Sequence, residues 1–447
     1  MKSDKLFNAT NSLIIGTSLF MIGILLIVGR EWLYINVVNI FLIAILFLSL
    51  KKFFNYFIGK KKDKQINLTT SVLNLLFCFI CSLFRNIPIS ILPIIFGIYL
   101  LINAIIKLIN ASILWKNKAN GRLVETITFL IYFTVSISII FAPIKNLSIV
   151  LLIIGIYILL LGVNYIIDFI SFIIPRKVKK KIKRNIRISL PAIIEAIIPF
   201  TVLSEINYLL DKENYDSNFS FEEKSIDVLP DLEIFVHTSN RGFNRMGHVD
   251  LYYNGQVISY GNYDDYSMRF FNMIGDGVLF TTDKDKYIPF CIEHSKKTLF
   301  VFGLKLTDRQ KKNVDKAINN IFDNSYTWSS PYEEAKLKNK RVKKDDYSDY
   351  ASRLYQVTKA KFYKVKSGKF KNYFVLGSNC CRLADNIVGK SGIDLLKMNG
   401  VITPGTYYEY LNREFQKKNS MVISRKIYNQ KNVDKKKIQE IFKGFSK

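Results

Sequence analysis

The chain is poor in the residues that build fibrous, disordered or disulfide-stapled proteins. Ten prolines and 22 glycines in 447 residues exclude collagen and low-complexity disorder. Five cysteines are too few for a disulfide scaffold. The three histidines form no Cys/His quartet at ligand spacing, so no metal site is expected. A phosphate-cradling glycine loop is missing too, because Ala384 stands where the first glycine ahead of Gly389-Lys390-Ser391 would be. No cofactor is expected. Acidic residues are scarcest of all near the start: up to Pro175 there are only Asp4, Glu31, Asp63, Glu125 and Asp168.

Apolar runs fill that stretch. A membrane helix needs about 20 mostly apolar residues, and six candidate runs occur, at 11–29, 32–50, 68–84, 89–109, 123–142 and 147–174. They explain why a chain with a net charge of +28 still has a mean hydropathy of +0.14. Five further runs follow the first one, and no small-residue cleavage site separates them, so a cleaved signal peptide is not expected. The segment 188–203 is apolar but short and holds Glu195, Pro191 and Pro199. It reads as a helix lying in the membrane interface.

Basic residues give the orientation. Lys51, Lys52 and Lys60 to Lys64, then Lys116, Lys118 and Arg122, then the cluster from Arg176 to Arg187, alternate with connections holding only Arg30, Arg85 and Lys145. The positive set belongs inside, which places both termini and the C-terminal domain of a multi-pass cell-membrane protein in the cytoplasm. The same clusters sit where anionic lipid head groups lie, so the bilayer is the expected partner and nucleic acid is not. Lys107 and Asp168 fall near helix ends, where their side chains can reach water. Cys78 and Cys81 have redox-motif spacing inside an apolar run without flanking His or charge, and read as packing residues.

Gly97-Ile98-Tyr99 and Gly155-Ile156-Tyr157 open two similar runs, each closing on a polar or basic turn. This weak tandem repeat resembles the HdeD-like family of small bacterial membrane proteins, over about residues 10–175. That family is associated with acid resistance, and no catalytic residues carry over from it.

From about residue 207 the pattern turns globular. Strand signals appear at 232–237, 248–253, 256–260, 278–282 and 299–305. Asn254-Gly255 between two of them is the strongest short-range hairpin signal. A helix capped by Thr307 carries Val314, Ile318 and Ile321 on one face, and a second follows Ser378-Asn379 with Leu383, Ile387 and Val388 inward. A partly helical, tyrosine-rich stretch surrounds 347–357, and Cys291 follows Pro289-Phe290 in a strand-like core run. Three domains are therefore expected: a six-helix all-α transmembrane domain (1–187), an interfacial helix and linker (188–228), and an α+β domain (229–447).

The α+β domain holds the candidate chemistry. Cys380 starts a helix, where unpaired N–H groups and the helix dipole favour the reactive thiolate. His248 starts a strand, and a strand-borne His facing a helix-N-terminal Cys is the geometry of a Cys-His thiol hydrolase. Cys381 points elsewhere on the helix, His237 is a second choice of base, and His294 among charged neighbours reads as exposed.

Gly247-His248-Val249-Asp250-Leu251-Tyr252-Tyr253 followed far downstream by Ser378-Asn379-Cys380 resembles the circularly permuted branch of the NlpC/P60 superfamily. Lecithin:retinol acyltransferase-like and YiiX-like proteins, in which the His strand precedes the Cys helix, belong to that branch. The likeness spans about residues 230–415. It implies a permuted papain-like fold, Cys380 as nucleophile, His248 as base and a polar third residue on the next strand. Ser259, opposite Asp250, fills that place where the family usually has His, Glu or Asn, with Tyr260 and Asn262 next in line. His248, Asp250 and Ser259 should then face the Cys380 helix, with Leu251 and Ile258 pointing to the other face.

Two functions fit. One is a membrane-tethered cysteine hydrolase or acyltransferase acting on an amide, ester or thioester through a covalent acyl-enzyme. The other is a non-catalytic stress or acid-resistance membrane protein whose soluble domain only binds.

Overall fold

The computed structural model describes residues 2–58, 61–173, 221–223, 228–238, 247–295, 297–339, 343, 346–389, 404–416 and 420–428. By contact the chain divides into two units, Met1–Ile109 with Leu123–Phe169, and Asn110–Arg122 with Ile170–Lys447. The segment 188–203, and with it the interfacial helix, lies outside the described residues.

The first unit is all helical, and every apolar run expected to cross the membrane is helix. Its elements are α1 (Lys2–Ile58), α2 (Lys61–Leu83), α3 (Asn86–Lys116), α4 (Arg122–Phe141) and α5 (Leu147–Ile173). Four stretches are long and apolar enough to cross a membrane: Thr10–Tyr56, Asn86–Lys116, Arg122–Phe141 and Leu147–Ile167. The apolar part of α2, Leu68–Leu83, is shorter. The first two expected runs both fall in α1, where two helices meet at Arg30 with φ 36 and ψ −125. Side chains such as Ile40, Phe41 and Phe47 stay exposed, a surface suited to lipid rather than water.

Lipid gives apolar helices no hydrophobic reason to associate, so close packing and polar clasps must do it. Gly23 in α1 sits so tightly on α5 that a Cβ would stand 2.6 Å from the Leu159 nitrogen, and Gly162 would meet the Phe20 nitrogen at the same distance. The repeated glycines have the same use: Gly155 backs onto Ile27 and Gly97 onto Ile140. Ser49 and Ser71, both fully buried, exchange hydrogen bonds with each other's carbonyls at 2.8 Å. Lys107 does not simply reach for water: it pairs with Glu125 in the first turn of α4 at 2.9 Å. Cys78 and Cys81 are free thiols.

The second unit is built on an antiparallel nine-stranded sheet. Its elements are β1 (Phe221–Glu223), β2 (Leu232–Thr238), β3 (His248–Tyr253), β4 (Gln256–Gly261), β5 (Ile274–Asp276), β6 (Val278–Thr282), α6 (Lys284–Pro289), β7 (Thr298–Leu304), α7 (Asp308–Asp323), β8 (Ser325–Trp328), α8 (Pro331–Leu337), α9 (Tyr350–Thr358), β9 (Lys361–Val365), β10 (Asn372–Phe374), α10 (Cys380–Val388), α11 (Pro404–Gln416) and β11 (Val422–Tyr428). The strand order is β1-β11-β7-β2-β3-β4-β6-β9-β8, and β5 pairs separately with β10.

Two apolar layers flank the sheet. One joins Val249, Leu251, Ile258 and Tyr260 to α7, α10 and α11 through residues such as Val314, Leu383, Ile387 and Leu411. The other joins Phe235, Val257, Phe280 and Val301 to α6 and α9 through Tyr287, Cys291 and Leu354. The run Tyr287–Ile292 is helical, not strand: α6 continues into a π-type turn at Phe290–His294.

Candidate active site

The Asn254-Gly255 turn, with φ 48 and 82, closes β3 onto β4 and fixes their register, Leu251 against Ile258. At the start of β3, Gly247 turns the chain with φ 77, and a Cβ there would lie 2.8 Å from the His237 carbonyl oxygen and 2.9 Å from Pro404 Cβ. Alternation then puts His248 and Asp250 on one face. His237 of β2 pairs directly with His248, their rings 5.6 Å apart.

Asp250 is the hub. It is 1% exposed, with Oδ2 2.7 Å from His237 Nε2 and Oδ1 2.8 Å from His248 Nε2. Tyr287 donates its hydroxyl to Oδ2 at 2.6 Å. The carboxylate acts on both imidazoles through its charge first and through hydrogen bonding second. Ser259 Oγ and Tyr263 OH each stand 2.9 Å from His248 Nε2 and 2.7 Å from one another.

Cys380 reaches this group from the other side of the sheet. The Asn379 side chain caps α10 by accepting from the Arg382 N–H at 2.9 Å, which makes Cys380 the first helical residue. Its sulfur lies near enough to the imidazole of His248 and the N–H of Val249 for both to act on its titration. Tyr373 of β10 points its hydroxyl at the sulfur from 4.0 Å. Cys380 is 4% exposed and the His248 side chain 15%.

The expected faces are therefore reversed. Leu251 and Ile258 are core, but they pack with α10, while His248, Asp250 and Ser259 look toward the α6 layer. His248 and Cys380 still meet, because His248 opens its strand and β3 pairs with β4 only from Leu251 onward. Tyr260 and Asn262 turn elsewhere, their side chains donating to the carbonyls of Phe370 and Asn272.

Burial acts on every member, and the outcome depends on the neighbours. It drives His237 down to about 4 against the pull of Asp250, so this ring holds a proton poorly and is a weak base. Burial would lower His248 as well, but the charge of Asp250 and then of Cys380 lifts it to about 10. For Asp250 burial favours the neutral acid, and the two imidazoles override it and hold the carboxyl well below the usual range. At Cys380 the hydrogen bond from the Cys381 thiol weighs most, burial opposes it, and the His248 charge and hydrogen bond add to it, leaving the thiol well below its ordinary value. Cys381 moves the opposite way, raised by burial and by that same bond. Burial also keeps Tyr263, Tyr287 and Tyr373 protonated, as hydrogen-bond donors. Cys291 is core and pushed up to about 12 by burial, while His294 is exposed and stacked on Phe290.

Sequence reasoning brought His248, Cys380 and Ser259 together and put Asp250 on the face of His248, because two residues along a strand is the same face, but gave it no role. It missed Tyr263, Tyr287 and Tyr373. The tyrosines come from segments with no local mark of their role. Among the described residues no group of three or more His, Cys, Asp or Glu is arranged to hold a metal.

The second unit is thus an α+β domain in which the Cys380 thiol and the His248 imidazole lie buried beside the Asp250 carboxyl. Compared with protein families, curated proteins and solved structures, the chain matches none of them.

Proposed function

We propose that this is a membrane-tethered cysteine hydrolase or acyltransferase with a permuted papain-like domain of the NlpC/P60 kind. The observation that carries the reading is His248, with Asp250 Oδ1 2.8 Å behind its imidazole, close to Cys380 at the capped N-terminus of α10. Cys380 attacks a carbonyl as the thiolate, so no proton need be removed first. His248, already imidazolium, donates to the leaving group and then takes a proton from the water or acceptor that releases the acyl chain. Asp250 stabilises and orients that imidazolium, while Ser259 and Tyr263 fix its Nε2 edge. The N–H groups opening α10 and the Tyr373 hydroxyl, which points at the sulfur, then serve as the oxyanion donors. A short, water-soluble thioester tests the chemistry: the full chain should turn it over, Cys380→Ala should lose at least about a thousandfold, and Cys381→Ala far less. Loss with Cys381→Ala alone would overturn the assignment.

In this reading the chain crosses the membrane six times, with α1 supplying two crossings on either side of Arg30 and both termini in the cytoplasm. Anionic head groups then cover the basic loops, and amide, ester or thioester substrates near the inner leaflet come within reach. A reporter fused after Lys447 is expected to be active only if its activity requires the cytoplasm. Activity of an extracytoplasmic reporter instead would mean that 188–203 crosses the membrane.

A further inference from the structure

Among the described residues of the second unit, the three most exposed aromatics crowd into six positions of one loop. Tyr266 is 89%, Phe270 72% and Phe271 88% exposed. The loop, 262–273, joins β4 to β5, and its tip is firmly shaped. The Asp264 side chain caps the turn Asp265–Ser267, and Arg269 and Ile274 exchange backbone hydrogen bonds at 2.8 and 3.2 Å. Between them Phe270, Phe271 and Asn272 take φ values of 50, 54 and 66. Three successive side-chain-bearing residues in the left-handed region are costly, and such strain gathers where a surface makes contact. The result is two phenylalanines held out into solvent, an arrangement that water penalises and a covering surface would reward.

The charge around the tip identifies the cover. Asp264 and Asp276 share Lys364, at 2.7 and 2.8 Å, so one cation offsets one of their two charges. Arg269 is exposed at the tip, and Lys369 and Lys371 lead into β10, which pairs with β5. Asp265 and Asp349 oppose them, with Arg353 beside Asp265, so the basic residues outnumber the acids around the tip by a small margin. Aromatic rings flanked by basic residues make up the interfacial anchors of membrane proteins. The same chain carries four helices long and apolar enough to cross a bilayer.

We propose that this loop is a membrane-docking tip, inserting Phe270 and Phe271 into the bilayer interface with Arg269 at the phosphate level. The docking stands whether or not Cys380 turns over substrate. It bears on the site because both ends of the loop run into it. Tyr263 contacts His248 Nε2, and β5 pairs with β10, whose Tyr373 faces the Cys380 sulfur. Docking would therefore act on the walls of the Cys380 site and bring its mouth to the lipid.

The test is Phe271→Trp in the full chain, reconstituted into vesicles of phosphatidylcholine and phosphatidylglycerol, read as the emission difference from the parent chain. Tyr326→Trp, on the half-exposed strand β8, is the comparison. The difference emission of Phe271→Trp should be blue-shifted and about twofold quenched when the lipids carry brominated acyl chains, and that of Tyr326→Trp should not be quenched. Red-shifted, unquenched emission would show that nothing covers the tip. Blue-shifted but unquenched emission would show that protein covers it. Either result overturns the proposal. Hydrolysis of the short soluble thioester, measured alongside, separates this outcome from the fate of the catalytic reading.

Discussion

His248→Ala is expected to change how the alkylation of Cys380 depends on pH. In the parent protein the thiol lies well below its ordinary value, so its reaction with iodoacetamide should be nearly flat through the neutral and mildly acidic range. Without the imidazolium the thiol rises, although the Cys381 hydrogen bond still acts to lower it, and its rate should climb with pH. At neutral pH the effect is blunted, because a more basic thiolate is also the stronger nucleophile. Near pH 5 the loss of thiolate wins, and the variant should react at least about tenfold more slowly. The upper limit follows from the other partner. His248 is lifted to about 10, so the ion pair is complete below that pH and dissolves as pH rises through it. Profiles that coincide for parent and variant would sink the pairing.

The second large effect is at Asp250. Asp250→Asn keeps the shape and removes the charge that His248 shares, so the imidazole falls back toward neutrality under its own burial. Turnover of the soluble thioester should drop at least about a hundredfold, and the acid end of the alkylation profile should steepen. Asp250→Ala adds a cost in folding. It leaves His248 without its backing charge and the Tyr287 hydroxyl without its acceptor in a dry layer. Removing one partner of such a buried charged group costs about 3–5 kcal/mol, measurable as a fall in the unfolding midpoint of the domain. A stable, active Asp250→Ala protein would mean that Ser259 and Tyr263 suffice to orient the ring.

What could be read from the sequence was what local physics decides. Asn254-Gly255 fixed a hairpin because two adjacent positive φ values admit few residue pairs. Thr307 and Gln310 form the capping box that starts α7, and Asn379 starts α10, so Cys380 could be placed at a helix N-terminus. The strands β9 and β11 were not legible, because Lys361-Phe362-Tyr363-Lys364-Val365 and Val422–Tyr428 carry charges that only sheet pairing explains. Pro289-Phe290-Cys291 looks strand-like from composition, and its helical form is set by packing under α9. The face error has the same origin. Alternation says which residues share a face, and says nothing about which layer covers it. Lys107 and Glu125, 18 positions apart, meet only once α3 and α4 are packed.

The most direct test of the Cys380–His248 assignment traps the acyl-enzyme from the short soluble thioester. The full chain is mixed with it, quenched in acid within the first turnovers and mapped by peptide mass. The mass gain of one acyl group should fall on Cys380, be absent from Cys291 and Cys381, and vanish in His248→Ala quenched at the same time at mildly acidic pH. Acyl groups spread over all three cysteines, or none on Cys380 while the thioester is still consumed, would contradict it.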